Sequence, residues 1–508
     1  MTSSNSATRN DNLPVTQHFI AGKLSNGHGS GIGEIFNPAT GQQIATVPFA
    51  GDSEITQAIE AAKKVSASWA SEPPLKRARI FFKFKQLVED HLDTLINLIV
   101  TENGKTLHDA HGEMVRALEV IEFACGAPHL MKGSSSLNVS RNVDCHTHQQ
   151  PVGICVGITP FNFPAMAPMW MIPPALVCGN TFILKPSEKC PSVIIKMAEL
   201  LQQAGLPDGV LSILHGDQST VQRLITHIDV SAVSFVGSTP VAQYVYATAS
   251  ASGKRVQALG GAKNHAIVMP DADIEFAAAS IMGGAFGNAG ERCMALSAIL
   301  TVGDSTADKL CKALKAQIQK LTIGPGQHND SEMGPVISRQ HLKRVKDYIS
   351  QGDTAGARLV TDGRTYNSPH KGYFIGPTLF DNVTPDMSIY RDEIFGPVLC
   401  QLRLTSLEDA IALANTHPMG NGAAIFTRSG SAARKFSTEI ESGMVGINVP
   451  LPVPMAYHVF GGWKQSRFGD IGMHGMDSIR FYTRQKTITT RWPENASSDA
   501  EFAMPTMK

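Results

Sequence analysis

Apolar residues recur along this 508-residue chain in two alternating rhythms. In one they return every three to four positions. Ile55, Ala58, Ile59, Ala62 and Trp69 follow Asp52, a residue suited to capping a helix start. Ser406 and Asp409 make a similar start ahead of Ile411 and Leu413. In the other rhythm, short β-branched runs stop at proline or glycine. Ile183-Leu184-Lys185 ends at Pro186, and Ala232 to Val236 ends at Gly237-Ser238-Thr239-Pro240. Strands alternating with helices predict an α/β protein with largely parallel sheets. Two polar stretches change the beat to a period of two, one around Thr147 (DCHTHQQ) and one from Phe481 to Arg491 (FYTRQKTITTR). Far apart in sequence, these ribbons are expected to pair and to project from the body.

From Pro151 to Leu184 the chain has no charged residue, a length that would suit a membrane span. Six prolines interrupt it, so a buried strand, loop and helix at the centre of a soluble protein is expected instead. The opening MTSSNSATRNDNLP lacks the apolar core of a signal peptide, and the residues from Pro493 read as a loose tail.

Composition then excludes classes. With 44 basic and 44 acidic residues, nucleic acid is not held by bulk charge. Hydrophobic residues at 43% and charged ones at 17% describe a large core, and the length implies two or more domains. Eight cysteines without a Cys-x-x-Cys pair suggest reduced thiols and a cytoplasmic location. No metal is expected: His108-Asp109-Ala110-His111 and Cys145-His146-Thr147-His148 each lack a second ligand pair.

The candidate chemistry lies elsewhere. Gly27, Gly29, Gly31 and Gly33 miss the third glycine of a dinucleotide fingerprint and read as a surface turn. Gly237-Ser238-Thr239-Pro240 is better placed, because it links an apolar strand to a helix start where amides and the Ser238 hydroxyl can face a pyrophosphate. Gly287-Asn288-Ala289-Gly290-Glu291-Arg292-Cys293 gives the sharpest local signal. A cysteine on a glycine-rich approach beside an arginine predicts an exposed nucleophile whose thiolate is favoured by positive charge.

Around Cys293, and in order along nearly the whole chain, the sequence resembles the NAD(P)-dependent aldehyde dehydrogenase superfamily. The motifs are Thr159-Pro160-Phe161-Asn162-Phe163-Pro164, Lys185-Pro186-Ser187-Glu188, Phe235-Val236-Gly237-Ser238-Thr239, Leu259-Gly260-Gly261, Gly290-Glu291-Arg292-Cys293 and Glu393-Ile394-Phe395-Gly396-Pro397. The resemblance implies a Rossmann-type NAD-binding domain (1–134 and 152–258), an α/β catalytic domain (259–450) and a β-hairpin oligomerisation element (135–151 and 478–495). It also implies a homotetramer built as a dimer of dimers. Cys293 is implied as the nucleophile, with Asn162 and the Cys293 amide stabilising the oxyanion. Lys185 and Glu188 are implied to hold the adenosine ribose, Ser238 the pyrophosphate and Glu393 the nicotinamide ribose. Thr159, Phe161, Gly237 and Phe395 complete the implied cofactor site, and an acidic Glu188 favours NAD over NADP.

One position departs from the hydrolytic members of that superfamily. Where they carry Glu-Leu-Gly-Gly, with the glutamate activating water, this chain has Ala258-Leu259-Gly260-Gly261. Alanine takes no proton, so a thiol, coenzyme A, is the expected acyl acceptor. The runs Gly260 to His265, Glu291 to Ser297 and Phe481 to Thr489 are similar to the CoA-acylating branch. That branch converts methylmalonate or malonate semialdehyde, with loss of carbon dioxide, to propionyl-CoA or acetyl-CoA. Val459 to Asp470 departs from the branch pattern. Arg116 and Arg292 match its arginines and are implied to clamp the substrate carboxylate. On residue pattern alone Arg116 also fits a helix-surface ion pair. A hydrolytic enzyme that makes a free acid with a different base stays open as the alternative.

Overall fold

The computed structural model describes residues 13–29 and 31–492. The expected tails, before residue 13 and from Pro493, lie outside the described residues.

Five parallel strands form the centre of an eight-stranded sheet: Ile154–Ile158, Thr181–Lys185, Leu211–Ile213, Val230–Val236 and Arg255–Leu259. Counted along the chain, they stand side by side in the order third, second, first, fourth, fifth. The order reverses between Ile154–Ile158 and Val230–Val236, and at such a point a crevice opens beyond the carboxyl ends of the strands. A second, seven-stranded sheet is built on Asn264–Val268, Leu296–Val302, Val398–Leu404 and Gly422–Phe426. Its pairings are parallel except for the outer pair Arg358–Thr361 and Thr378–Asp381. Strands covered on both faces carry near-continuous apolar runs, as ICVGI at 154–158 does with every residue buried.

The charge-free segment folds as expected: a strand, a turn, the fully buried helix Met166–Val177 and a second strand. That helix contains Pro173 and Pro174 in its interior and lies against the helix Leu107–Cys125. Among the described residues no helix is long and apolar enough to cross a membrane.

Helix starts are partly as read. Ser406 Oγ accepts from the Asp409 amide at 3.1 Å. Asp52, however, is the first helical residue and not the cap. Gly51 precedes the helix Asp52–Ser71, and Glu54 reaches back to accept the Gly51 amide at 2.8 Å. The apolar face Ile55, Ala58, Ile59, Ala62 and Trp69 is buried. Gly31 and Gly33 belong to a strand, Gly31–Asn37, rather than to a turn. A Cβ on Gly33 would lie 2.8 Å from the Phe49 ring of the paired strand, so packing accounts for this glycine.

The two polar ribbons pair antiparallel from Thr483 opposite Pro151 to Arg491 opposite Val143, and Ser135–Ser140 joins as a third strand. Phe481 and Tyr482 are not part of the ribbon. They end the helix Gly475–Tyr482 and are buried, with Tyr482 Oη 2.8 Å from Ser234 Oγ. At the root of the ribbon, Asn180 is buried and saturated. Its Oδ1 accepts the amides of Val152 (2.8 Å) and Gly153 (3.0 Å), and its Nδ2 donates to the carbonyls of Ala175 (2.9 Å) and Tyr482 (2.8 Å).

Asn180→Ala strands buried donors and acceptors at that root. It should lower stability by roughly 2–4 kcal/mol, at about 1–3 kcal/mol for each group left unpaired. Urea unfolding checks this, and a loss below about 1 kcal/mol would show that the root does not depend on Asn180.

Candidate functional site

Cys293 lies where two cavities meet. The larger, 610 Å³, follows the crevice at the strand-order reversal and is bordered by Phe161, Asn162, Gly237, Ser238, Glu393 and Phe395. The smaller, 260 Å³, is bordered by Asp109, Glu113, Arg116, Arg292 and Phe460. Cys293, Phe163 and Trp170 border both.

The turn before Cys293 is held by its backbone. Asn288 and Ala289 are left-handed at φ 51° and 49°, followed by Gly290 at 74°. Ala289 has no side-chain reason to sit there, so the fold imposes the conformation. A Cβ on Gly290 would lie 2.4 Å from the Gly396 carbonyl oxygen, so only glycine lets this turn press against the Phe395-Gly396-Pro397 loop. The Cys293 carbonyl accepts from Asn264 Nδ2 (2.9 Å) and Asn421 Nδ2 (3.1 Å). Asp109 takes the Asn288 amide on one oxygen at 2.8 Å and the Arg292 guanidinium on the other.

That last pairing corrects the expectation for the thiol. Arg292 is directed to Asp109, and Cys293 is not a favoured thiolate. Burial pushes its thiol up to about 12, with the Glu393 carboxyl adding to the rise and Arg292 opposing it only weakly.

Asn162 is set by a buried network. Its Nδ2 donates to the Glu291 carbonyl at 3.0 Å, and its own main-chain oxygen accepts from Lys105 Nζ at 2.6 Å. Lys105 pairs with Glu113 at 2.7 Å and lies 4.4 Å from the Phe163 ring centroid. The other Glu113 oxygen accepts the amides of Ala165 and Met166 at 2.8 and 3.0 Å. Asp109, Glu113 and Arg116 fall at i, i+4 and i+7 of the helix Leu107–Cys125 and therefore share one face. Arg116 makes the expected helix-surface ion pair and also faces the smaller cavity. It pairs with Glu119 at 2.8 Å, donates to the Val453 carbonyl at 3.3 Å and borders the smaller cavity.

On the larger cavity's far side, Ser238 precedes the helix Thr239–Ala251, and its hydroxyl makes no capping bond. A Cβ on Gly237 would fall 2.5 Å from the Phe235 ring. Glu393 accepts the Ala262 amide on Oε1 at 2.9 Å, and its Oε2 lies 2.2 Å from where a Cβ of Gly261 would be. Lys263 ties this corner together by donating to the carbonyls of Ile389 and Asp392 at 2.7 and 2.9 Å. Thr159, Lys185 and Glu188 do not border the larger cavity. They cluster at the ends of adjacent strands, where the Thr159 amide donates to the Lys185 carbonyl (3.1 Å) and Lys185 Nζ meets Glu188 Oε2 at 3.2 Å. Burial works to raise Glu188, but Lys185 and a backbone amide outweigh it and hold the carboxyl below its ordinary range. Ala258 is buried in the apolar layer with Phe235, Ala242 and Val245.

A dinucleotide fits these residues. The uncapped Ser238 hydroxyl and the glycine walls at 237 and 261 suit phosphate and ribose, and the Thr159 hydroxyl is buried without a partner. Ionised Glu188 suits ribose hydroxyls. Among the described residues no group of three or more histidine, cysteine, aspartate or glutamate side chains could hold a metal ion.

Sequence reasoning missed Lys105, Asp109, Glu113, Asn421 and Lys189. Lys189 borders the larger cavity with its ammonium 5.1 Å from the Phe161 ring centroid. The i, i+4, i+7 spacing of Asp109, Glu113 and Arg116 was a usable signal. Asn264 stood inside a motif without a role, and Asn421 carried no signal at all.

Residues 26–488 match the aldehyde dehydrogenase family. A malonate-semialdehyde dehydrogenase of Pseudomonas aeruginosa is 52% identical over 498 residues, 97% of this chain and 100% of its own. The structure of a methylmalonate-semialdehyde dehydrogenase from Oceanimonas doudoroffii superposes with a TM-score of 0.94 at 51% identity, covering 95% of this chain and 99% of that one. A candidate methylmalonate-semialdehyde dehydrogenase from Sinorhizobium meliloti 1021, solved in complex with NAD, gives the same TM-score of 0.94, identity of 51% and coverage of 95% and 99%.

A thiol raised to about 12 by burial is protonated throughout the neutral range. Iodoacetamide labelling of Cys293, followed by peptide mass spectrometry, should therefore rise by about tenfold per pH unit from about pH 7 to pH 10 without levelling. A plateau below about pH 9 would mean that the thiol ionises more readily than its surroundings dictate.

Proposed function

The chain belongs to the aldehyde dehydrogenase family, and from that premise we propose that it oxidises malonate or methylmalonate semialdehyde with NAD and passes the acyl group to coenzyme A. The observation that carries the proposal is the placement of Cys293. It stands between a crevice suited to a dinucleotide and a small cavity with two guanidinium groups, and no carboxylate is present at position 258.

The smaller cavity binds the substrate, with its carboxylate toward Arg116 and Arg292. Cys293 Sγ then gives up its proton to solvent water and bonds to the aldehyde carbon, and the carbonyl electron pair moves to oxygen. Asn162 Nδ2, with one hydrogen already given to the Glu291 carbonyl, keeps its second for that oxyanion, alongside the Cys293 amide. NAD, when bound, would supply the hydride acceptor, and Ser238, Glu188 and Glu393 are the residues that would hold it. Loss of hydride leaves a thioester on Cys293. The carboxylate on the neighbouring carbon departs as carbon dioxide. Its electron pair passes onto the thioester oxygen, which the same two donors hold, and a proton adds at carbon. The CoA thiolate finally attacks the thioester carbonyl and displaces Cys293, which recovers its proton. Propionyl-CoA or acetyl-CoA is released.

The carboxylates bordering the smaller cavity are engaged, Asp109 with Arg292 and Glu113 with Lys105. Neither is free to serve as a base for water, which favours a thiol acceptor. The eight-stranded sheet is assigned to the dinucleotide and the seven-stranded sheet to the nucleophile. The ribbon edge Thr483–Arg491 stands at the margin of its sheet, where a second copy of the chain can extend it into a homotetramer of paired dimers. A cytoplasmic setting agrees with eight unpaired thiols.

Two assays test this. Steady NADH formation from methylmalonate semialdehyde should require CoA and yield propionyl-CoA by chromatography. NADH release unaffected by CoA, with free acid accumulating, would replace the acylating mechanism by a hydrolytic one. Arg116→Ala should cut turnover of methylmalonate semialdehyde by at least about tenfold, since a charged hydrogen bond is worth about 1.5–3 kcal/mol, and leave propanal within about threefold. Equal losses on both substrates would remove the carboxylate clamp.

A further inference from the structure

Glu291 has no part in the chemistry above, yet it sits two residues before the nucleophile and is fully buried. Its Oε1 accepts the Ile337 amide at 3.2 Å and lies 3.4 Å from His341 Nε2. The same His341 nitrogen is 2.6 Å from the Phe395 carbonyl oxygen, so it carries the ring hydrogen and donates there. Glu291 Oε2 is buried without a hydrogen-bond partner. The Glu291 main-chain carbonyl accepts from Asn162 Nδ2 at 3.0 Å and from Asn288 Nδ2 at 3.3 Å. One residue thus touches the nucleophile turn, the start of the helix Arg339–Thr354 and the oxyanion donor, and reaches the Phe395 loop through His341.

We propose that Glu291 is a positioning residue for acylation of Cys293: its side chain hooks the nucleophile turn to Ile337 and His341, and this fixes the carbonyl that aims Asn162 at the oxyanion. The proposal rests on Cys293 as the nucleophile and is independent of which acceptor later takes the acyl group.

The hook works as a neutral acid. A carboxylate with one amide donor and no cation in contact is costly to bury. Burial raises the Glu291 carboxyl to about 8; the Ile337 amide and, more weakly, Lys189 and Lys105 pull the other way. His341 faces it from the helix and is itself lowered to about 4, chiefly by burial, so it is neutral and brings no countercharge. Arg344 acts on His341 from the same helix. Above about 8, Glu291 becomes a buried anion next to a second developing negative charge on the substrate oxygen. Acylation should then slow. Because the folded value lies above the ordinary 4.5, folding stability is also lost as pH rises from about 4.5 to about 8, and no further loss follows beyond that.

Glu291→Gln keeps the shape and cannot ionise. Its rate of pre-steady-state NADH formation, with propanal and NAD and without CoA, should stay within about threefold of wild type near pH 7. The ratio of variant to wild-type rate should climb at least about fivefold between pH 7 and pH 9.5. Titration of Cys293 or Glu393, present in both proteins, cancels in that ratio. The melting temperature of the variant should exceed that of wild type at pH 9 and match it at pH 4.5. Glu291→Ala should lower the rate at least about tenfold at every pH while KM for propanal stays within about threefold.

A ratio that is flat with pH overturns the proposal. So does a folded Glu291→Gln that loses a hundredfold at pH 7, since the carboxyl would then be the proton acceptor itself. If Glu291→Ala does not fold, the Glu291→Gln ratio still decides. A wild-type protein that forms no NADH with any aldehyde defeats the proposed function instead, so the two failures are distinguishable.

Discussion

The site depends on one buried ion pair. Lys105 and Glu113 are almost inaccessible to solvent, and two charges removed from water are stabilising only if every remaining valence is filled. Here the filling is what builds the site. The spare hydrogen-bonding capacity of Lys105 goes to the Asn162 carbonyl. That of Glu113 goes to the first amides of the helix Met166–Val177, which would otherwise be orphaned at its start. Asn162, the proposed oxyanion donor, is therefore attached to a charge pair that cannot relax without exposing a bare ion. Removing either partner would leave an uncompensated charge, at a cost of about 3–5 kcal/mol, and would free Asn162 in the same stroke.

The helix Leu107–Cys125 extends this constraint to Cys293. A turn before Glu113, Asp109 holds the Asn288 amide and the Arg292 guanidinium. A turn after it, Arg116 reaches the smaller cavity. Three residues on one face thus locate the backbone of the Cys293 turn, Asn162 and both guanidinium groups. A neutral chain needs no basic surface to bind an anion when two guanidinium groups are locally concentrated in this way. Each already has a carboxylate partner, Asp109 or Glu119, so on the proposed mechanism a substrate carboxylate would enter an existing network of charges.

The α/β class and the pairing of the two ribbons were legible in the sequence because both rest on local periodicities that the fold preserves. Ordered motifs single out Cys293 and Asn162, and the structure brings both to the larger cavity. Strand order was not legible, since it depends on contacts between segments far apart in the chain. For the same reason the Asp109–Arg292 pair, 183 positions apart, left no mark. Asp52 is not the cap because the helix begins at it: Gly51 holds the cap position without a side chain, and Glu54 reaches back from inside the helix to take the Gly51 amide. Phe481 and Tyr482 fitted the alternation of the ribbon but are drawn into the core, where burial of two large rings outweighs strand pairing. Arginine beside cysteine suggested a stabilised thiolate; the fold turns that arginine to an aspartate and leaves burial in control.

The alanine at position 258 acquires its meaning from these neighbours. Had a free carboxylate bordered the smaller cavity, losing the one at 258 would say little about the acceptor. Both acids there are instead committed to structure, one to Arg292 and one to Lys105. Diverting either to proton transfer would loosen the nucleophile turn or the oxyanion donor. Glu393, on the cofactor side, is engaged by the Ala262 amide and is better suited to ribose than to water. On the proposed mechanism the thioester is therefore sheltered from hydrolysis by the same contacts that assemble the site. It persists long enough for decarboxylation and for a thiol that needs no base beside it. Restoring glutamate at 258 would place a new carboxyl in a layer packed by Phe235, Ala242 and Val245, where it must either stay protonated or disturb the sheet. Hydrolysis is thus not one substitution away: the apolar layer around position 258 would have to change with it.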